Sequence, residues 1–265
     1  MVANYHTHTW RCKHAEGLER EYVEQAIRAG VRILGFSDHT PYPFPDGYVS
    51  FFRMAPSQAE DYFTTLTDLK REYSGQIEIH IGVEAEYYPA HFEALLHFLA
   101  AYPCEYLIMG QHYTHNERDG AYSGGETDDG SVLTQYVSQV LQGLQTGVFT
   151  YLAHPDVLHW SGSEALYRRE MERLCRGAKA LDIPLELNLL GLELGRNYPC
   201  GMFWEIAGRV GNCAVLGCDA HRPQALALPG LEARARAFAD AHGVRLLETV
   251  ELNQFNRKSR DCNHV

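Results

Sequence analysis

Six short segments place histidine or a carboxylate where an apolar run ends. In chain order they hold His6 and His8 in Tyr-His-Thr-His, with His14 just beyond; Asp38 and His39 in Ser-Asp-His; Glu84 and Glu86 in Gly-Val-Glu-Ala-Glu; His112 in Gly-Gln-His; His154 in Ala-His-Pro; and Asp219 and His221 in Asp-Ala-His. Residues two apart on a strand share a face, so His6 with His8, and Asp219 with His221, can each present two donors to one point. Imidazole and carboxylate together suit Zn, Fe and Mn, and a set of this kind belongs to a catalytic metal site. The seven cysteines, Cys12, Cys104, Cys175, Cys200, Cys213, Cys218 and Cys262, have no paired spacing. They read as reduced thiols in packing or surface positions, not as zinc ligands or a disulfide framework.

Donors this far apart in sequence need a fold that gathers them. Seven apolar runs rich in Val, Ile, Leu, Phe and Tyr read as strands over residues 3–8, 32–38, 77–84, 106–112, 149–154, 184–188 and 213–219. Between them, residues 18–29, 57–73, 92–101, 132–145, 164–181 and 202–209 carry apolar side chains three or four apart, with Gly30, Gly75 and Gly147 placed as helix C-caps. Strand and helix in alternation imply a parallel sheet, and in a closed parallel barrel the C-terminal strand ends meet on one rim. That rim would collect the donors, with the sixth strand supplying the neutral Asn188. Residues 41–48 and 116–130 read as loops, the second as a lid, and the run at 244–247 as a tail packed outside the barrel.

Composition narrows the partners. Of 265 residues, 45% are hydrophobic and 22% charged, as in an ordinary globular chain, and no linker or repeat divides it, so one domain over 1–265 is expected. A formal net charge of −11 argues against a nucleic-acid surface. Neither a leader at Met1 to His6 nor a run of about 18 apolar residues is present, so a cytoplasmic chain without a membrane span is expected. His80, His91, His97, His159, His242 and His264 read as ordinary packing or surface residues.

Taken together, Tyr-His-Thr-His-Thr with His14, Phe-Ser-Asp-His, Gly-Val-Glu-Ala-Glu, Gly-Gln-His, Ala-His-Pro and Gly-Cys-Asp-Ala-His resemble the PHP family, named for polymerase and histidinol phosphatase. The resemblance runs from His6 to His221 and implies a distorted (β/α)7 barrel with a trinuclear metal site at the C-terminal rim. It implies His6, His8, Glu84 and Asp219 around the first divalent ion, Glu84 bridging to a second held by His112 and His154, and His14, His39 and His221 around a third, whether Zn, Fe or Mn. It further implies a phosphomonoester hydrolase acting by attack of a metal-bridging hydroxide. The substrate it implies is L-histidinol phosphate, of histidine biosynthesis, from the runs at 8–15 and 35–41 and Phe52-Arg53-Met54.

Within that expectation, Asp38 would fix an imidazole or protonate the leaving oxygen, and Asp219 would assist deprotonation of water while remaining a ligand. Arg53, Arg196 and Arg222 are candidates for the phosphate oxygens, Arg196 first, with His115 near the substrate. Tyr42, Phe51, Tyr113 and Glu86 are available to an imidazole and an amine. Two other readings stand beside this one: hydrolysis of a different small ester or a cyclic phosphodiester, and a metal-binding accessory module without catalysis.

Overall fold

The computed structural model describes residues 1–253; Cys262 and His264 lie outside the described residues. Eight parallel strands follow one another in chain order: β1 (Ala3–Asn4), β2 (Ile33–His39), β3 (Glu78–Ala85), β4 (Tyr106–Met109), β5 (Phe149–Leu152), β6 (Leu185–Asn188), β7 (Cys213–Gly217) and β8 (Arg245–Leu246). The helices between them are α1 (Glu19–Arg28), α2 (Ala59–Glu72), α3 (Phe92–Leu99), α4 (Gly130–Gln145), α5 (Glu164–Ala180), α6 (Leu189–Leu194), α7 (Gly201–Val210) and α8 (Leu231–Ala241). The longer helices each bury one apolar stripe. In α2 the stripe is Tyr62, Phe63, Leu66 and Leu69, and α4 starts where the Asp129 side chain accepts from the Ser131 N–H at 2.8 Å.

Alternation along the strands separates two packed layers. Leu107 and Met109 face the helices, whereas Tyr106 and Ile108 face inward, where they meet Tyr5, Tyr151 and Val215. Tyr106 crosses the barrel, its hydroxyl donating to the carbonyls of Tyr5 at 2.7 Å and Phe36 at 3.1 Å. Gly35 and Gly82 make room for it, since a Cβ on either would land on Tyr106. At the C-terminal rim the sheet closes through a parallel bridge between Thr7 and Ala220. Asn4 reinforces the seam, its amide reaching Thr7 Oγ1 at 2.8 Å while its Oδ1 accepts the Cys218 N–H at 2.8 Å.

Three expectations need correction. Among the described residues the sheet has eight strands, not seven: β8 pairs with the start of β7, at Cys213 and Ala214. The tail is not outside the barrel, because Leu247, Val250 and Leu252 pack on the inner cluster with Tyr106 and Tyr151, and Asn253 bonds the Phe149 carbonyl at 2.6 Å. The regular ladders also stop short of most of the donors. β1 ends at Asn4, β4 at Met109, β5 at Leu152 and β7 at Gly217, and the backbone then turns, with positive φ of 28° at His154 and 47° at Asp219. Residues in that left-handed region cannot continue a strand, and such conformations concentrate at functional sites. Among the described residues no helix is long and apolar enough to cross a membrane.

Candidate metal centre

Glu84, facing inward near the end of β3, sits at the centre of the converging donors. Its Oε1 lies 2.8 Å from His154 Nε2 and 3.6 Å from His112 Nε2. Its Oε2 lies 3.0 Å from His39 Nδ1, 3.5 Å from His6 Nε2 and 3.6 Å from His8 Nε2. Asp219 Oδ1 approaches His8 Nε2 at 3.0 Å, His221 Nδ1 at 3.4 Å and His6 Nε2 at 3.5 Å. Donor atoms of His6, His8 and Asp219, of His6, Glu84 and His154, and of His14, His39 and His221 each lie within 4.8 Å of one another, as metal ligands would. All nine residues named from the sequence are therefore gathered at one rim.

The Nδ1 atoms of His6, His8 and His112 are each held by a carboxylate behind the cluster. Asp38 accepts at Oδ1 from His8 Nδ1 at 3.3 Å and from the His39 backbone N–H at 2.8 Å, and it also takes the Thr9 hydroxyl. Glu186 bonds His6 Nδ1 at 2.8 Å, and Glu86 bonds His112 Nδ1 at 2.9 Å. Asn188 donates to both Glu186, at 2.7 Å, and Asp219 Oδ2, at 3.1 Å. A carboxylate on one ring nitrogen fixes the tautomer and aims the other nitrogen at the centre. Glu186 escaped the sequence reading, which assigned β6 only Asn188. The signal was the alternation Leu-Glu-Leu-Asn, which sets a charged residue on the inward face beside Asn188.

Two observations test whether this cluster fits cations. Among the described residues Glu84 Oε2 and His39 Nδ1 are buried without a hydrogen bond, even though they are 3.0 Å apart. Buried polar atoms are rarely left so, and cations lodged beside the carboxylate and beside the imidazole would satisfy both. The second is electrostatic. Burial works to lower the His6 pKa, yet Glu186, Asp219 and Glu84 outweigh it and push it up to about 10. Burial opposes ionisation of Glu84 and Asp219, but the surrounding histidines hold both well below the usual carboxylate range. Burial and the neighbouring His8 drive His221 down to about 3. Such a cluster draws positive charge inward, and the residues fit divalent cations.

The residues named for substrate contact fall differently. Arg53 is buried beneath the rim with its donors engaged by Glu86, Glu117 and the Thr40 carbonyl at 2.5–3.1 Å, so it braces Glu86 and is closed to phosphate. Tyr42 donates to the Glu86 carbonyl, and both residues are buried. Arg222 is paired with Glu193. His115 is exposed, with its backbone clamped by Gln139. Arg196 remains beside the cluster: its Nη1 donates to Tyr198 Oη at 2.8 Å, and the Tyr198 ring lies 5.9 Å from that of His154.

A parallel β/α barrel whose rim gathers imidazoles and carboxylates about one shared glutamate defines the class of metal-dependent hydrolases. The chain belongs to the PHP family, whose domain matches residues 4–189 and so spans the donors from His6 to His154. A protein of Deinococcus radiodurans named probable histidinol-phosphatase is 27% identical over 231 residues, covering 84% of this chain and 87% of the relative. The histidinol-phosphatase of Bacillus subtilis is 33% identical over 101 residues, 37% of this chain and 38% of its own. Among solved structures, the histidinol phosphate phosphatase of Lactococcus lactis, complexed with zinc, L-histidinol and phosphate, superposes with a TM-score of 0.70 at 19% identity, covering 94% of this chain and 98% of that one. A protein described as a putative histidinol phosphatase from Listeria monocytogenes gives 0.69 at 20% identity, covering 86% and 98%. These two share the fold.

Proposed function

We propose that this chain, acting as one domain, is a metal-dependent phosphomonoester hydrolase that converts L-histidinol phosphate to L-histidinol and phosphate. The observation that carries the chemistry is the convergence of five histidines on the two oxygens of Glu84, with Asp219 and the His14, His39 and His221 group beside them. The choice of substrate is supported by the Deinococcus relative, which matches over most of both chains.

In this reading His6, His8, Glu84 and Asp219 would hold one cation, Glu84, His112 and His154 a second, and His14, His39 and His221 a third, each Zn, Fe or Mn by the chemistry of the donors. When bound, such cations would supply Lewis acidity toward phosphoryl oxygens and lower the pKa of water toward neutral. The chain's own groups do the rest. Asp38 and Glu186 orient His8 and His6 through their Nδ1 atoms. Asn188 fixes Asp219 Oδ2 and leaves Oδ1 facing the cluster, where Asp219 would receive the proton of the attacking water. The Arg196 guanidinium, beside Tyr198, would take a phosphate oxygen and orient the ester.

The test is phosphate release from L-histidinol phosphate by protein of known metal content, beside simple monoester and cyclic diester controls and a His112→Ala variant. A turnover of about 1 to 1000 per second on histidinol phosphate, abolished in the variant, is expected. Slow, equal release from every ester would overturn the substrate.

A further inference from the structure

Ring contacts around the cluster identify what could hold the alcohol half of the ester. Phe52 lies 5.4 Å from His39, centroid to centroid, and 6.2 Å from His112. Tyr113 lies 5.7 Å from Phe52, and Tyr122 lies 5.3 Å beyond Tyr113. A backbone bridge between Tyr113 and Tyr122 fixes that pair. Tyr198 stands 5.9 Å from His154 and is bonded by Arg196, and Arg196 is within electrostatic reach of both Tyr122 and Asp219. The row of rings therefore starts at two donor histidines and ends within electrostatic reach of the candidate phosphate-binding arginine.

Packing does not account for the outer end of this row. Tyr122 is 54% exposed and Phe51, 5.3 Å from Phe52, is 69% exposed. Both belong to loops leaving C-terminal strand ends, as does Trp10. Large apolar groups left exposed on the loops that surround a polar site mark a binding surface. Phe52 is already covered on one side by the Arg53 guanidinium, 4.3 Å from its centroid, and Tyr113 is flanked by Phe52 and Tyr122. Tyr122 is the member that still offers surface to a ligand.

We propose that Phe52, Tyr113 and Tyr122 form the leaving-group subsite, that it selects esters whose alcohol carries a flat unsaturated ring, and that Tyr122 is its specificity-determining residue. The inference rests on the proposed function, in which that ring is the imidazole of histidinol. A tyrosine face accepts such a ring by offset or edge stacking, and a protonated imidazole also gains from the negative ring face. The phosphate sits at the cluster, so losing the stack weakens capture of the ester more than the chemical step.

The experiment compares two substrates, L-histidinol phosphate and the same amino-alcohol phosphate with the ring replaced by methyl, using wild type, Tyr122→Ala and Tyr122→Phe loaded with the same metal. For histidinol phosphate, Tyr122→Ala should lose roughly tenfold in kcat/KM, mainly through KM, and Tyr122→Phe should recover most of it. The ring-less ester should distinguish neither variant from wild type. Equal losses on both esters would make Tyr122 a loop-ordering residue, and no loss on either would leave the row without a role in selection; each overturns the subsite. Wild-type protein that discriminates against the ring-less ester while Tyr122→Ala keeps that discrimination also overturns it, with the proposed function intact. Wild-type protein that hydrolyses neither ester overturns the proposed function, and the subsite with it.

Discussion

Glu186 shows how one side chain governs both the strength and the pH dependence of metal capture. It holds His6 Nδ1 at 2.8 Å and is foremost among the charges that push the His6 pKa up to about 10 against burial. In the metal-free protein at pH 7 His6 therefore carries a proton that must leave before it can ligate, so affinity rises with pH until the His6 proton is gone. Glu186→Gln keeps the shape and the contact with Asn188 but removes the charge. The expected result is an affinity lower by about 10- to 100-fold at pH 9, where orientation and basicity of the ligand dominate, and a shallower slope between pH 6 and 9, because less proton has to be displaced. Competition against a chelator across that range measures both, and an unchanged slope would remove Glu186 from control of His6. Residues of this kind are hard to see in a sequence. His112 and His154 stand out because each follows an apolar run, whereas Glu186 lies inside one, and the engagement of Arg53 depends on Glu117, which is 64 positions away.

At the scale of elements, the rim depends on loops being tied to one another and on strands approaching closely. Arg53, from the loop after β2, is buried between Glu86 beyond β3 and Glu117 in the loop after β4. Arg53→Met would leave two carboxylates buried without a cation, a change that costs about 3–5 kcal/mol in comparable cases, and it would free the loop carrying Tyr122. Urea midpoints should fall accordingly; a variant as stable as wild type would show that water reaches both carboxylates. Gly82→Ala probes the barrel wall, since its Cβ would meet the Tyr106 backbone and ring. A loss of about 1–3 kcal/mol is expected, as for other overpacked cores, with metal content retained; no loss would mean that β3 and β4 can separate locally. The regular strands and the long helices were readable from periodicity. The rest lacked that signal: α6 has only six residues and follows β6 without a turn, α8 presents mainly alanines, and β8 is two residues long. Where the ladders end could not be read either, because left-handed turns at His154 and Asp219 are imposed by the site and not by residue type.

For the whole molecule, the inner end of the barrel is closed by the tail, and the rim end by buried charge that folding must neutralise. Without cations, protons do this. His6, His8 and His154 all have raised pKa values, opposed by burial but driven by Glu186, Asp219, Asp38 and Glu84. A group whose folded pKa lies above its unfolded value adds stability that is full below the unfolded pKa, near 6.5, and is lost as pH rises through the folded one. For His6 that window runs from about 6.5 to about 10. Chelated protein should therefore lose stability steadily over this range, by about 1.4 kcal/mol per pH unit for each such proton, or a few degrees in Tm for a chain of this size. Metal-loaded protein should not follow it, because cations hold the same carboxylates without protons and bind more tightly as pH rises. The gap in Tm between loaded and chelated protein should widen from pH 7 to pH 9 in thermal scans at fixed free metal. A gap that stays constant or narrows would mean that the rim charges are balanced by something other than protons and cations exchanging at these histidines.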